Sequence, residues 1–193
     1  MSTITTDHDF VKRLQNGDEA AFEQLVVNHQ ELVLNTCFGF VHNRQEAEDL
    51  TQEVFIQVYK SIKTFQEQAK LSTWLYRIAV NKSLNFIRKE KSKGFVSTLD
   101  EILFKGTESG ISTSHNTNPL GLLENNERAE RLEEAIAKLP ENQKTAFTLS
   151  KLQGLPNKEI SEIMELSLSA TEALLNRAKK NLQKFLLHYL NII

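Results

Sequence analysis

Arg77, Asn81, Lys82, Asn85, Arg88 and Lys89 share one side of a helix advancing about 100° per residue, within the stretch KLSTWLYRIAVNKSLNFIRKEKSK that runs from Lys70 to Lys93. Guanidinium and ammonium groups neutralise phosphates. Asparagine hydrogen-bonds base edges. Trp74, projecting among these cations with Ile78, offers a ring on which an unpaired base can stack for about 1–3 kcal/mol. The combination suits a nucleic acid. Trp74 suits equally well a place closing a core at a domain edge, because tryptophan is usually largely buried. The opposite arc, with Leu75, Tyr76, Ala79, Val80, Leu84, Phe86 and Ile87, is apolar and packs.

Two further stretches carry usable chemistry. In NRQEAEDLTQEVFIQVYKSIK, a helix predicted over Arg44 to Lys63, Ala47, Leu50, Val54, Phe55, Val58, Tyr59 and Ile62 form the packing side. Glu46, Asp49, Gln52, Glu53, Gln57 and Lys60 form the other, and Ile56 sits amid them. An apolar residue ringed by carboxylates and amides is either the centre of a protein interface with a polar rim or a single exposed side chain of the ordinary kind. Near the C-terminus, Ser169-Ala170-Thr171-Glu172 fits a capping box, and NRAKKNL follows it.

The elements that must position these residues are helices. Gly17 and Asp18 break a short first helix, and Asp18 is placed to cap Glu19 to Val41, where Phe22, Leu25, Val26, His29, Leu32, Val33 and Thr36 recur at three and four. His29 has no ligand-type neighbour at metal spacing, so no metal site is expected. From Ser92 to Asn126 the periodicity collapses into a Ser, Thr, Asn and Gly-rich segment that reads as a linker. Its Phe95, Val96, Leu99, Ile102, Leu103 and Phe104 are too many for a purely solvated tether. Beyond it, Leu132, Ile136 and Leu139 make a short stripe ended at Leu139-Pro140. A helix with Ala146, Phe147 and Leu149 follows, then a turn at Gly154 and Pro156, then NKEISEIMEL capped by Asn157 and facing Ile160, Ile163 and Met164 inward. The short helix, turn and longer helix form a helix-turn-helix pattern.

The fold expected is all-α, with two small helical domains, 1–91 and 127–193, joined by a flexible linker over 92–126. With 193 residues, 40% hydrophobic and 25% charged, the chain can bury real cores. A net charge of -2 leaves nucleic-acid affinity to local clustering. The single cysteine, Cys37, excludes an internal disulfide and a multi-cysteine metal site. With neither a secretory leader pattern nor a run of about 20 apolar residues, the expected place is the cytoplasm, without membrane insertion. There is no P-loop and no nucleophile–base pair at recognisable spacing, so no enzyme activity, cofactor or small-molecule substrate is expected.

DLTQEVF, followed after a short loop by LSTWLYRIAVN, resembles domain 2 of the extracytoplasmic-function sigma factors of bacterial RNA polymerase. The order LP, EI, then NRAKKNL resembles their domain 4. The resemblance implies a factor that binds core polymerase through the beta-prime clamp helices and the beta flap, and directs promoter-specific initiation. It implies a core-binding role for Asp49, Gln52, Glu53 and Ile56. It implies recognition of the melted -10 element by the loop Gln66 to Ser72 and the following helix, through Lys70, Ser72, Thr73, Trp74, Arg77, Asn81 and Lys82, with Arg88 on the same cationic face. Domain 4 would read the -35 element in duplex DNA through Ser169, Glu172, Asn176, Arg177, Lys179 and Lys180. Glu172 departs from the family, where Lys or Arg followed by Ser is common at that position. It either caps its own helix or accepts a hydrogen bond from a base donor such as cytosine. An anti-sigma partner often accompanies such factors. The other readings of these residues are a helix-turn-helix regulator acting without core polymerase and a helical interaction adaptor.

Overall fold

The computed structural model describes the backbone over residues 3–104 and 131–190, with side chains over 8–93 and 131–187. All regular elements among these residues are helical: α1 (Thr3–Gln15), α2 (Glu19–Val41), α3 (Arg44–Ser61), a 3-10 turn (Ile62–Thr64), α4 (Leu71–Phe104), α5 (131–137), α6 (Glu141–Lys151), α7 (Asn157–Met164) and α8 (Leu168–Leu190).

Local chemistry sets the corners. Gly17, at φ 81°, supplies the positive φ that turns the chain out of α1. Asp18 then accepts the Ala21 N–H at 3.0 Å and caps α2. The Arg13 guanidinium, donating to Asp18 at 2.7 Å, holds that carboxyl below its usual pKa, aided by the Ala21 N–H. His42 closes α2 in the left-handed region, its N–H returning to Phe38 O at 2.9 Å. Asn43 caps α3 through Glu46 N. So tight a corner lays α3 back along α2, and the Phe22 and Tyr59 rings meet edge-on at 5.1 Å.

Leu25, Val33 and Cys37 of α2, Ala47, Leu50, Val54 and Val58 of α3, and Leu75 and Ala79 of α4 form the core of the first unit. Burial keeps the Cys37 thiol protonated by raising its pKa. In the second unit Ala135, Ile136 and Leu139 pack on Ala178 and Leu182. A third apolar cluster joins the two units. Phe40 and Val80, with Tyr76, Leu84 and Ile87, meet Ala146, Leu149, Ile160, Ile163 and Leu175. The broad apolar arc of α4 therefore serves two partners: Leu75, Ala79 and Phe86 face the first core, and Tyr76, Val80, Leu84 and Ile87 face the second unit.

α4 runs on to Phe104, past residue 91; the rest of the expected linker, from 105, and the start of the second unit at 127 lie outside the described residues. Two expectations about packing and one about a cap are corrected. Tyr59 is exposed rather than packed, because it edges over Phe22 at the rim. Leu132 is also exposed. Pro156, not Asn157, is the residue before α7; its fixed φ of -70° starts that helix without a side-chain cap. Among the described residues, no helix is long and apolar enough to cross a membrane, and no cluster of potential ligands could hold a metal ion.

Candidate nucleic-acid interface

On α3, Asp49, Gln52, Glu53 and Ile56 share one outward stripe and all are exposed, Ile56 at 54%. Packing of Ala47, Leu50, Val54 and Val58 inward forces this stripe outward. Lys82 of α4 donates to Glu53 at 3.1 Å. The Lys82 ammonium is thus held at the α3 carboxylates rather than on an open cationic face. On the same helix Glu46 is pushed above the usual carboxylate range by burial and by Glu90.

The loop before α4 is tightly held. Gln15 donates to Phe65 O at 2.9 Å, and His8 Nδ1 lies 2.9 Å from both carboxylate oxygens of Glu67, which sits at φ 56°. Lys70 O receives the Trp74 N–H, and the Lys70 side chain extends to solvent. Trp74 and Ile78 do not stand free among cations: both are half-buried against the first core, Trp74 with its ring centroid 5.0 Å from that of Phe65. Thr73 is buried at 4% exposure because its turn of the helix faces the core. Ser72 is half-buried and Asn81 is exposed. This loop rims an open cleft of about 860 Å3 whose far wall is Ser161, Glu162, Glu165 and Leu166 of the second unit.

The cations of α4 meet that second unit. Arg77 donates to Glu162 O at 2.8 Å and pairs with Glu165 at 2.8 Å. Arg88 donates through Nε and Nη2 to both oxygens of Glu141, and through Nη1 to Asn85 at 2.8 Å. Donating to the Glu141 carboxylate raises the Arg88 pKa and keeps its guanidinium charged. Lys70 lies 3.8 Å from Glu159. Three contacts made at α2 complete the seam: Lys144 donates to Phe40 O at 3.3 Å, Gln153 donates to Asn35 O at 2.9 Å, and His42 Nδ1 stands 3.9 Å from Glu133. Burial and the nearby Lys91 lower the Lys144 pKa. Exposed ion pairs contribute about 0–1 kcal/mol each, whereas a fully buried Phe, Leu or Ile contributes about 1.5–3 kcal/mol. Phe40, Leu149 and Ile160, each at most 1% exposed, therefore hold the seam, and the charges set its register.

The second outward stripe is on α8. Glu165, at φ 55°, closes α7, and Leu166 N returns to Ser161 O at 3.0 Å. Ser167 then caps α8, its Oγ accepting Ala170 N at 3.2 Å and its carbonyl accepting Thr171 N at 3.0 Å. The cap lies two residues earlier than Ser169, so Glu172 falls beyond the reach of a capping box. Thr171, Leu175, Ala178 and Leu182 turn inward. Ser169, Glu172, Asn176, Arg177, Lys179 and Lys180 are left exposed along one broad side. Among the described residues Glu172 makes no hydrogen bond or ion pair. A shallow cleft of about 340 Å3 beside Glu172, Asn176 and Lys179 is also lined by Lys151 and Asn157. Neither was expected at the site. Their shared place arises from the packing of α6 and α7 on α8, which no local periodicity encodes.

Known proteins match the chain in the same two parts. The family model described as Sigma-70 region 2 matches residues 25–93, and the one described as Sigma-70, region 4 matches residues 129–182. The RNA polymerase sigma-H factor of Pseudomonas aeruginosa is 31% identical over 189 residues, covering 96% of each chain. The ECF RNA polymerase sigma-E factor of Escherichia coli is 33% identical over 180 residues, covering 93% of this chain and 94% of that one. Among solved structures, CnrH in complex with the cytosolic domain of CnrY has a TM-score of 0.63 at 19% identity, over 93% of this chain and 96% of that one. The sigma factor RpoE in complex with the anti-sigma factor NepR from Bartonella quintana has a TM-score of 0.56 at 19% identity, over 86% of this chain and 96% of that one.

Proposed function

Since the chain belongs to the extracytoplasmic-function sigma factors of bacterial RNA polymerase, we propose how its residues divide the work of promoter-specific initiation. The α3 stripe Asp49, Gln52, Glu53 and Ile56 docks on core polymerase, Ile56 as the apolar centre and the acids and amide as the rim. The stripe of α8 lies in the major groove of the -35 element. There Arg177, Lys179 and Lys180 neutralise phosphates, while Glu172 and Asn176 meet base edges, cytosine and adenine being their natural partners. The loop before α4, with Lys70, Ser72, Asn81 and the cations Arg77 and Arg88, captures the melted -10 element. Trp74 and Thr73 act there by shaping the loop from behind.

The polymerase supplies the phosphodiester chemistry, and the factor is not itself an enzyme. Binding energy alone does its work: duplex contact by the second unit and capture of unstacked bases by the first, held at a fixed separation by the polymerase. An anti-sigma partner and a cytoplasmic place of action belong to the same reading. The observation that carries it is the pairing of two outward stripes, one acidic with an apolar centre on α3 and one cationic on α8, within the two matched regions.

Run-off transcription with purified core polymerase on a genomic promoter pool tests it. Promoter-dependent transcripts that require both proteins are expected. DNA binding that is specific and salt-dependent without any association with core polymerase would instead identify a regulator acting alone.

A further inference from the structure

α1 precedes residues 25–93, the stretch that matches Sigma-70 region 2, yet it supplies the side chains that hold the loop before α4. Val11 and Leu14, each 3% exposed, anchor α1 in the first core with Phe65. His8, Val11 and Gln15 recur at three and four residues and so share one face of the helix. From that face two polar side chains reach the loop. Gln15 Nε2 donates to Phe65 O at 2.9 Å, where the loop leaves the 3-10 turn. His8 Nδ1 lies 2.9 Å from each carboxylate oxygen of Glu67. An ionised carboxylate only accepts, so Nδ1 is the donor.

Between these two grips the backbone takes an uncommon turn. Glu67 sits at φ 56°, in the left-handed region, where a residue with a β-carbon persists only when its surroundings fix it. A little further on, the Lys70 carbonyl accepts the Trp74 N–H at 3.1 Å and α4 begins. The Glu67 turn therefore sets the direction from which Lys70 and Ser72 enter the helix. His8, Glu67 and Lys70 line the same open cleft.

We propose that α1 braces the -10 loop, with His8 and Gln15 as positioning residues that set which unstacked base the loop accepts. The proposal rests on the assignment of Lys70 and Ser72 to the melted -10 element. Neither His8 nor Gln15 has to touch DNA. Gln15 fixes the start of the loop; His8 fixes the Glu67 turn and engages a carboxylate that would otherwise repel phosphates beside Lys70. Selectivity is a difference between affinities. A loop free to change shape accepts wrong bases nearly as well as the right one, so loss of the brace relaxes -10 preference before it abolishes binding.

The test uses the full chain with core polymerase and a promoter recovered by run-off transcription, in one library randomised at the -10 element and another randomised at the -35 element. His8→Ala with Gln15→Ala removes both grips, while Val11 and Leu14 keep α1 docked. Lys70→Ala with Ser72→Ala removes the loop's own contacts to DNA. His8→Ala with Glu67→Asn replaces the clamp by a residue that enters the left-handed region more readily and carries no charge. Loss of both grips should lower preference for the best -10 sequence over the pool by about fivefold or more, with -35 preference and Tm close to the parent's. Glu67→Asn should restore most of the preference lost in His8→Ala. A parallel loss of -10 and -35 preference with a falling Tm means that α1 serves the fold alone, and overturns the proposal. So does failure of Glu67→Asn to restore His8→Ala. Parent-like -10 preference without the grips, with Lys70→Ala and Ser72→Ala impaired, overturns the brace and leaves the loop assignment standing. Parent-like -10 selection and transcript yield in Lys70→Ala with Ser72→Ala removes the loop assignment and the proposal with it.

Discussion

Ile56→Glu separates docking on core polymerase from folding. Ile56 is 54% exposed in the free chain, so about half of its side chain is already covered and about half is available to a partner. Full burial of isoleucine contributes about 1.5–3 kcal/mol, and the uncovered half is therefore worth about 1 kcal/mol in the complex. The substitution also drives a carboxylate into an interface beside Asp49 and Glu53, where desolvation without a partner adds about 1–3 kcal/mol. The sum, about 2–4 kcal/mol, weakens binding by about 30-fold or more. Folding loses at most the covered half, about 1 kcal/mol, and Lys60 one turn on offers the new carboxylate a compensating i,i+4 pair. A loss of that size lowers Tm by about 2–4 °C in a protein of this length. Competition binding to purified core polymerase, with thermal melts of the free variant alongside, measures both quantities. Unchanged affinity for core, or a melting temperature that collapses, refutes the exposed-anchor reasoning.

Trp74→Ala removes a half-buried ring packed on Phe65, so it should cost about 2 kcal/mol of stability. It should also reduce permanganate-reactive thymines at the start site, with partial rescue on a pre-melted template. Equal loss on both templates would mean that the ring serves the fold alone. Glu172→Gln should leave stability within about 0.5 kcal/mol and shift base preference within the -35 element. Ser167→Ala should instead cost about 1 kcal/mol. Selection of bound sequences, with melts of both variants, checks the pair, and an unchanged sequence preference removes Glu172 from readout. His42 is held below its usual pKa by burial, partly offset by Glu133 and reinforced by Lys144. Its neutral form is therefore the one that fits, and its stabilising contribution is complete above 6.5 and declines as pH falls from there through the depressed folded value. His42→Asn, which tolerates the left-handed backbone, should flatten that decline in Tm; a parallel fall in both proteins would refute it.

What the sequence determined by itself is what short-range physics controls. Gly17 followed by Asp18 stops one helix and caps the next within four residues of chain, and the α2 boundaries follow. The three- and four-residue spacing of Ala47, Leu50, Val54 and Val58 turns Asp49, Gln52, Glu53 and Ile56 outward whatever α3 packs against. The same logic exposes the cations of α8. Ser169 and Ser167 show the limit of that reasoning, since either serine can cap, and the close of α7 at Glu165 decides for Ser167.

Tertiary structure decided the rest. Periodicity marked α4 as apolar over a wide arc, but could not say that the arc is shared between two partners. Nothing local relates Lys144 to Phe40, 104 residues away, or Arg77 to Glu162, 85 residues away. Such contacts depend on surface complementarity between parts of the chain far apart in sequence, including the bare backbone at Gly39 that lets Thr148 approach. A cation on a helix face has the same sequence signature whether it awaits a phosphate or already holds a carboxylate. Only the packing of α7 against α4 decides which, because charge neutralisation is a property of distance in space and not of spacing along the chain.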